Sequence, residues 1–308
     1  MRVSVLIVSW NARDWLARCL RAVVDTPHEI IVVDNASADG SAAMVARDFP
    51  AVRLVASSEN LGFAGGVNRA RHLASSPFLL LLNPDTQAAP GAIDRLADTV
   101  AADAGIGAAA GRLVDADGRT QAGFNIRRFP TLASLAADLL LIDHVWPDNP
   151  ASRRYYARDV DLDASTDVEQ PAAACLLVRA ELFDRLGGMD ERFHPAWFED
   201  VDFCHRLRDS GARIRFEPAA TFVHRGGVAR DTLGAAAFSR TFHRNLLRYV
   251  RKHHGLGPEL VVRAMLSAGM LPRAAAAALR GDSPSTRAAL ATWRDAALWW
   301  ATDDPKDR

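Results

Sequence analysis

Two periodicities alternate along the first hundred residues of the chain. Short apolar runs, typical of strands buried on both faces, are separated by segments in which apolar side chains recur every three or four residues, as along one side of a helix. The pattern predicts strands at residues 3–8, 28–34, 52–56 and 78–82, and helices at residues 12–24, 41–48 and 63–74. Strands that are connected through helices usually run parallel, so we predict an α/β fold with a mostly parallel central sheet flanked by helices.

The second half of the chain continues this alternation less regularly. It predicts strands at residues 106–114, 170–178 and 212–216, and helices at residues 90–100, 181–186 and 198–211. Residues 115–167 show little periodicity, and within them we predict a hairpin turn at Asp117-Gly118 and a helix over residues 131–145. The remaining pattern is helical, with an amphipathic helix at residues 235–254 and further helices over residues 260–301, where Trp293 and Trp300 share one side.

Composition limits the class of protein. Lys and Arg number 37, as do Asp and Glu, so the chain has no net charge that would favour a nucleic acid as partner. Three widely spaced cysteines fit a reducing compartment better than a disulfide framework or a paired-cysteine zinc site. The apolar N-terminal run is too short for a signal sequence, and no run approaches the ~20 apolar residues of a membrane span. We therefore expect a cytoplasmic protein, soluble or peripheral at the inner face of the membrane.

Polar side chains follow three of the predicted strands where each strand ends. They are Ser9, Trp10 and Asn11 after the first strand, Asp34 after the second, and Asn83 and Asp85 after the fourth. The carboxyl ends of parallel strands form the edge at which α/β sheets bind ligands. There an aromatic ring can stack on a base, one carboxylate can accept from a base or ribose, and Asp85 beside an amide oxygen suits a divalent cation. The alternative is that residues 83–85 form only a turn.

A glycine-rich segment precedes the third helix. Gly62, Gly65 and Gly66 lie between Asn60 and Asn68, and glycines at the start of a helix allow an anionic ligand to approach the backbone closely. An ordinary turn is the alternative interpretation. The turn after the first strand lacks the Gly-x-Gly-x-x-Gly pattern, which argues against a nicotinamide or flavin dehydrogenase.

Three carboxylates, Glu199, Asp200 and Asp202, lie at the first turn of the helix predicted at residues 198–211. They can interact with the helix dipole and its free N–H groups, or one of them can remove a proton from an attacking hydroxyl. Successive helix positions are about 100° apart, so the three cannot all face one ligand. We expect Asp202 to cap the helix.

Five motifs in order make the chain similar to the family 2 glycosyltransferases, within them to the rhamnosyltransferase-like branch. The resemblance covers roughly the first 225 residues. The motifs are VSWN at 8–11, VVDNAS at 32–37, NLGFAGGVN at 60–68, LNPD at 82–85, and GGMDE at 187–191 leading to FEDVD at 198–202. The chain departs from the family pattern at Asn83, where Asp is frequent, and at Trp10, where Tyr is usual. Asp85 is then the main carboxylate ligand.

The resemblance implies a GT-A, Rossmann-like fold and an inverting transfer of a sugar, rhamnose among the candidates. The donor would be a dTDP- or UDP-sugar, the cofactor Mg²⁺ or Mn²⁺, the acceptor a glycan or lipid-linked glycan, and the pathway cell-wall or polysaccharide biosynthesis. Residues 1–228 would form the GT-A domain, with a nucleotide-binding half at 1–114 and an acceptor and catalytic half at 115–228. Residues 229–308 would form a helical C-terminal extension.

The resemblance also implies a role for each candidate residue. Asp200 would be the catalytic base, Glu199 would position the acceptor, and Asp85 would hold the metal with His224, which the pattern places in a glycine-flanked loop. The remaining residues would bind the donor: Trp10 and Asp34 the base, Asn60, Gly65 and Asn68 the ribose and diphosphate, and Ser9, Asn11 and Asn83 other parts of it.

Several alternatives stay open at this point. A nucleotidyltransferase has the same sheet type but ordinarily a glycine-rich loop after the first strand, and residues 9–13 contain no glycine. A non-catalytic module that binds a nucleotide sugar or a lipid carrier would need the same edge but not Asp200. The basic helix at 235–254 can pack on its own domain, on a twin subunit in a homo-oligomer, or on a membrane. Five arginines are either a solvated face or a contact for the acceptor or anionic lipid: Arg127, Arg128, Arg153, Arg154 and Arg158.

Overall fold

The computed structural model describes residues 1–298. Its strands are β1 Val3–Ser9, β2 Glu29–Asp34, β3 Arg53–Ala56, β4 Phe78–Leu82, β5 Thr86–Ala88, β6 Ile106–Val114, β7 Ile126–Arg127, β8 Thr166–Val168, β9 Gln170–Pro171, β10 Cys175–Arg179 and β11 Arg213–His224. Its helices are α1 Arg13–Val23, α2 Ser41–Asp48, α3 Gly62–Arg71, α4 Ala92–Ala101, α5 Leu132–Leu139, α6 Ile142–Val145, α7 Pro150–Tyr155, α8 Ala180–Arg185, α9 Glu199–Asp209, α10 Val228–Leu233, α11 Ala235–His254, α12 Leu256–Leu279 and α13 Ser283–Leu298.

One large sheet organises the fold. Its strands follow the order β3-β2-β1-β4-β10-β6-β11-β5, with β8 paired to β11. The first four strands are mutually parallel, and β6 and β11 run the same way, whereas β10 is antiparallel to both of its neighbours. The predicted α/β architecture with a mostly parallel sheet and flanking helices is therefore confirmed, and the C-terminal helical extension is present.

Helices bury both faces of this sheet, which explains the continuous apolar runs of the strands. On β4, Leu80 and Leu82 face α1 and α4, whereas Leu79 and Leu81 face α3, α8 and α9. All four leucines are fully buried. Because β1 and β4 are neighbours, the loops that follow them meet at one edge of the sheet.

Two predicted strands differ from the structure in ways that matter for the site. The strand predicted at 170–178 is interrupted at residues 172–174, so that β9 pairs with β7 in a separate small sheet and β10 begins at Cys175. The strand predicted at 212–216 instead continues to residue 224 through an irregularity near Pro218. His224 therefore ends a strand, and the prediction that it lies in a loop was wrong in that respect.

The segment at 115–167 contains short elements that the pattern did not resolve. The helix predicted at 131–145 is two helices, because Leu141 has a left-handed backbone with φ of 63°. The buried side chain of Asn125 accepts from the Leu113 N–H at 2.9 Å and donates to the Gly111 carbonyl at 3.0 Å, so it bonds to the β6 backbone as a neighbouring strand would. Tertiary contacts of this kind position β7 and α7.

The C-terminal helices pack against the segment that leads into α9. Asn245 on α11 donates to the Ala196 carbonyl at 2.9 Å, and Leu246 and Tyr249 bury Phe193 and Phe198. By length and composition α12 could cross a membrane, whereas we predicted from the sequence that no apolar run approaches the length of a membrane span. Trp300 lies outside the described residues, and the division at residue 228 stays a prediction.

Candidate active site

A cavity of about 280 Å³ lies at the carboxyl ends of β1 and β4. Asp85, which follows β4, and Asp200, which lies in the first turn of α9, both line it although they are far apart in the sequence. Seven of the predicted site residues take part in the lining: Trp10, Asn60, Asn83, Asp85, Glu199, Asp200 and His224. The structure thus brings the two acidic centres of the sequence to one cleft.

Asp85 and His224, the two predicted metal ligands, lie next to each other in this cavity. Both are buried, and Asp85 Oδ1 lies 3.6 Å from His224 Nε2. Asp85 Oδ2 accepts from the Gly226 N–H at 3.1 Å, which fixes the carboxylate. Their side chains approach because β5 and the end of β11 are paired, with Thr86 opposite His224.

Gln121 orients the imidazole of His224. The Gln121 amide nitrogen donates to the His224 carbonyl at 2.7 Å, so its oxygen faces His224 Nδ1, 2.8 Å away. The proton then sits on Nδ1, and Nε2 offers a lone pair towards Asp85. Burial lowers the pKa of His224, although the charge of Asp85 acts in the opposite direction, so the ring is neutral near pH 7. An imidazole nitrogen and a carboxylate oxygen fit Mg²⁺ or Mn²⁺ completed by phosphate oxygens and water.

Another group of metal-ligating side chains lies between α9 and α11, at His205, Asp209 and His253. The rings of His205 and His253 stack with centroids 4.1 Å apart and planes 7° apart. Imidazole lone pairs lie in the ring plane, so those of two stacked parallel rings do not converge on one ion. This group is therefore a packing contact between the helices.

Glu199 and Asp200 are adjacent carboxyl groups with different surroundings. Asp200 Oδ1 accepts from the Val201 N–H at 2.8 Å, and Oδ2 accepts from the Ala173 N–H at 3.3 Å, where the interruption before β10 frees that donor. Glu199 is buried, and its Oε2 has no hydrogen-bond partner among the described residues. Burial raises the pKa of both groups, and for Glu199 the charge of Asp200 raises it further. Glu199 is thus the more readily protonated carboxyl group of the pair, and the role of Asp200 as base stays a prediction.

We expect Glu199→Gln to stabilise the protein at neutral pH. The folded state raises the pKa of Glu199 above its ordinary value of 4.5, so the stability associated with its protonated form is lost as the pH rises from 4.5 through the folded value. Glutamine has a similar shape and no charge to bury. The free energy of unfolding should rise by about 1–3 kcal/mol at pH 8 and change little at pH 4. Thermal melts at both pH values test this, with the exposed Glu181→Gln on α8 as control. A lower melting temperature of Glu199→Gln at pH 8 would contradict the assignment.

Asp202 joins α9 to α11 and does not cap α9, so that prediction was wrong. One of its oxygens accepts from Arg206 Nε at 2.8 Å, and the other lies 2.6 Å from Lys252 Nζ and 2.7 Å from His253 Nε2. Burial alone would raise the pKa of Asp202, but these hydrogen bonds and charges together lower it. The helix instead begins after Phe198 without a side-chain cap.

The other five predicted residues lie outside the cavity lining. Two of them present unpartnered buried oxygens at the edge formed by β1 and β2, namely Ser9 Oγ and Asp34 Oδ1. Such atoms are suited to a ligand that supplies their hydrogen bonds. Asn11 accepts from the Ala38 N–H at 2.7 Å and so shapes the loop after β2.

Gly65 and Asn68 lie on α3, beside the GGMDE motif. Asn68 Oδ1 accepts from the Met189 N–H at 2.9 Å, and its Nδ2 donates to the Met189 carbonyl at 2.8 Å. A Cβ added at Gly65 would come 3.1 Å from the Leu61 Cβ and 3.7 Å from the Glu191 carboxyl. In the described structure Asn68 therefore connects α3 to residues 188–191, and its role towards the donor stays a prediction.

Sequence reasoning missed several cavity residues. Phe124, Tyr155 and Trp197 line the cavity, and no motif or periodicity pointed to them. Phe242 also lines it, although the pattern placed that side chain only on the apolar side of the helix predicted at 235–254. Arg127 also lines it, and only its membership of an arginine group had drawn attention to it. They come from the irregular segment, from the residues before α9 and from α11.

The sequence comparisons give a consistent result. Residues 4–161 match the family model described as "Glycosyl transferase family 2". The chain is 31% identical over 240 residues to N-acetylglucosaminyl-diphospho-decaprenol L-rhamnosyltransferase of Mycobacterium tuberculosis, an alignment that covers 72% of this chain and 75% of the relative. It is also 34% identical over 119 residues to a pre-mycofactocin glycosyltransferase of M. tuberculosis, covering 35% of this chain and 24% of that protein.

Solved structures share the architecture. A mannosyltransferase from Pyrobaculum calidifontis in complex with GDP-Man and Mn²⁺ superposes with a TM-score of 0.54 at 19% identity, covering 97% of this chain and 82% of that one. A fragment of TarS from S. aureus in complex with UDP-GlcNAc superposes with a TM-score of 0.52 at 15% identity, covering 96% of this chain and 92% of that one. At these identities the likeness concerns the fold.

Proposed function

The chain belongs to glycosyl transferase family 2 and has the GT-A fold, and from this premise we propose that it transfers rhamnose from a dTDP- or UDP-linked donor to a hydroxyl of a lipid-linked glycan, with inversion. That it is a glycosyltransferase enzyme, as the motifs predicted, is confirmed by the family match and the rhamnosyltransferase relative. The observation that carries the proposed chemistry is the position of Asp85 and Asp200 on one cavity.

In the proposed reaction Asp200 accepts the proton of the acceptor hydroxyl. The hydroxyl oxygen attacks the anomeric carbon on the side opposite the leaving group, a new C–O bond forms, and the C–O bond to the nucleoside diphosphate breaks with its electron pair. Attack from that side inverts the configuration at the anomeric carbon. Protonated Glu199 can donate a hydrogen bond to a sugar oxygen and so orient it.

Asp85 and His224 would hold the divalent cation. When bound, Mg²⁺ or Mn²⁺ supplies positive charge for the leaving diphosphate. We assign Trp10 and Asp34 to the base, Asn60, Gly65 and Asn68 to the ribose and diphosphate, and Ser9, Asn11 and Asn83 to other donor contacts. The Mn²⁺ and GDP-Man in the mannosyltransferase structure support a metal-assisted use of a nucleotide sugar.

The proposed acceptor and setting rest on the relative. The name of that relative describes a lipid diphosphate that carries N-acetylglucosamine. We infer an acceptor of that class, a role in cell-wall or polysaccharide biosynthesis, and a cytoplasmic location peripheral to the membrane. Family membership favours this enzyme over a nucleotidyltransferase and over a non-catalytic binding module.

A transfer assay tests the proposal. Purified protein is incubated with dTDP-rhamnose, UDP-GlcNAc or GDP-mannose, Mn²⁺ or Mg²⁺, and N-acetylglucosamine linked through diphosphate to a short prenyl chain. Mass spectrometry should show an acceptor heavier by one deoxyhexose with the rhamnose donor, and no product in EDTA. Absence of transfer and of donor hydrolysis, together with unchanged melting temperatures with every donor, would contradict the proposal.

The proposed membrane contact lies on a surface different from the one that the sequence suggested. The cations of α11 bind protein groups: Arg244 donates to the His194 carbonyl at 2.7 Å, and Lys252 lies 2.7 Å from Asp190. The exposed large apolar side chains instead collect on α5, α6, α12 and α13, a set that we call the apolar surface. Its members are Leu132, Leu140, Ile142, Val145, Trp146, Leu256, Val261, Leu271, Leu279, Leu290 and Trp293.

The helices that carry the apolar surface contact one another, α5 with α6 and α12, and α12 with α13. Arg273 on α12 donates to the Leu139 carbonyl at the end of α5, 2.6 Å away, which joins the two parts. Residues 256–298, which include α12 and α13, contain 5 Arg against 3 Asp and Glu, a net charge of +2, whereas the whole chain has none. Exposed apolar side chains beside excess positive charge match an anionic bilayer.

We therefore expect Val145→Glu and Leu279→Glu, both at side chains that are 90% exposed, to weaken vesicle binding without affecting folding. Losing one buried aliphatic contact should lower partition into phosphatidylglycerol-containing vesicles about tenfold. Co-sedimentation measures the binding, and the melting temperature and turnover of a water-soluble acceptor serve as controls. If the wild-type protein does not bind the vesicles, the apolar surface is not a membrane contact. The same conclusion follows if light scattering without lipid shows a wild-type dimer that dissociates in the variants.

A further inference from the structure

Arg127 lies between two cavities. It lines the cavity that contains Asp85 and Asp200, which we call the active cavity. It also lines a second cavity of about 570 Å³, whose wall includes Phe124, Tyr156 and Arg158. The strand β7 that carries it pairs with β9, immediately before the residues that provide the Ala173 N–H to Asp200. The guanidinium is therefore held near the base by the sheet and faces a second space that leads away from it.

Aromatic rings and one carbonyl fix this guanidinium. Its carbon lies 5.9 Å from the ring centroid of Phe124, 5.7 Å from that of Tyr155 and 5.9 Å from that of Tyr156. Arg127 Nε donates to the Gly123 carbonyl at 2.6 Å. Ring faces attract the cation but leave its terminal N–H groups uncommitted.

Three of the other four arginines in this group, all except the exposed Arg153, are paired with carboxylates. Arg128 binds Asp159 at 2.6 Å, Arg154 lies 3.5 Å from Glu169, and Arg158 pairs with Asp148. Arg230, which also lines the active cavity, lies 3.4 Å from Asp231. Within residues 1–298 no carboxylate oxygen lies within 4.0 Å of the Arg127 guanidinium. Its charge acts at longer range on Asp200 and Asp138, where burial raises the pKa of each carboxyl group and the Arg127 cation lowers it.

We propose that Arg127 binds a phosphate group of the acceptor, so that a diphosphate lies between the two cavities while the acceptor hydroxyl reaches Asp200. A planar guanidinium with free terminal N–H groups is suited to bidentate contact with phosphate oxygens. The donor diphosphate would already be held at Asp85 and His224, whereas Arg127 lies on the side that opens into the second cavity. This inference rests on the proposed function and adds the residue that binds the diphosphate of the acceptor.

Steady-state kinetics of Arg127→Gln and Arg127→Lys test it with two acceptors. One is N-acetylglucosamine linked through diphosphate to a short prenyl chain, and the other is octyl N-acetylglucosaminide, which has no phosphate. Arg127→Gln should raise KM for the diphosphate acceptor about 10- to 100-fold. KM for the donor should change little, and so should kcat at a pH above the acidic limb, which the loss of a cation near Asp200 shifts to higher pH. Arg127→Lys keeps the charge but not the planar, bidentate guanidinium, so KM for the diphosphate acceptor should rise less than in Arg127→Gln. The exposed Arg153→Gln on α7 is the matched control and should behave as wild type.

Two results would overturn the inference. A rise in KM for the donor alone would assign the phosphate to the donor, and equal losses with both acceptors would mean that Arg127 only supports the cavity wall. If wild type transfers sugar to neither acceptor, the proposed function fails, and calorimetric titration with inorganic pyrophosphate in EDTA still tests Arg127. If wild type binds pyrophosphate and Arg127→Gln does not, the assignment of a phosphate site to Arg127 stands. If the two proteins bind pyrophosphate equally, the assignment is wrong.

Discussion

Asp200→Asn should lower kcat by about 10²- to 10⁴-fold while KM for the donor stays within about twofold of wild type. Asparagine keeps the size of the side chain and can still accept from the Val201 N–H, but it cannot take a proton from the acceptor hydroxyl. Because burial raises the pKa of Asp200, kcat/KM of the wild type should fall as the pH drops through that raised value, and the variant should lack this limb.

The matched control is Asp209→Asn, on the same helix but exposed and outside the cavity. It should keep wild-type turnover at every pH. Measured initial rates between pH 4 and pH 9 decide the matter. An Asp200→Asn variant with full activity, or one that retains the acidic limb, would remove Asp200 from the role of base.

Asp85→Asn should abolish the response of turnover to Mg²⁺ or Mn²⁺ and lower kcat by roughly 10²- to 10³-fold. The substitution removes the main carboxylate ligand of the cation, and the cation would stabilise the negative charge of the leaving diphosphate. The amide can still accept from the Gly226 N–H, so the fold of the loop is kept. His224→Ala should weaken the metal response in the same direction.

Metal titrations of turnover and of donor binding measure this effect. Asp98→Asn, an exposed substitution on α4, is the control and should show the wild-type metal dependence. Circular dichroism verifies that each variant is folded. An unchanged metal titration in Asp85→Asn would show that the cation, if used, is held elsewhere.

The fold was largely predictable because its centre depends on local pattern. Strands such as β4 are buried on both faces, so their apolar runs are unmistakable, and Pro84 marks where that strand ends. Boundaries failed where tertiary contacts override the pattern. The interruption at 172–174 and the extension of β11 to His224 are set by pairing with neighbouring strands, which a linear periodicity does not contain.

The site was predictable where chemistry lies at strand ends or in motifs, and not elsewhere. Asp85 follows directly from the end of β4, and Asp200 from the resemblance in its motif. Arg127 and Tyr155 come from a segment whose elements are short and fixed by side chains such as Asn125. Asp202 shows the opposite failure, since an acid in a first turn suggests a cap, and only the partner helix reveals its true contacts.

The pairing of Asp202 with Lys252 and His253 has a practical consequence for anyone who would trim this enzyme to its catalytic portion. A chain cut after Gly234 would keep Asp85, Asp200 and His224, yet Asp202 would lose Lys252 and His253 and keep only Arg206 as a partner. Phe193 and Phe198 would also lose the side chains that cover them. The loss of these ion pairs and the exposure of buried aromatic side chains to water both destabilise the fold. The C-terminal helices thus stabilise the segment that carries Asp200, and we expect a truncated chain to unfold before its activity could be assayed.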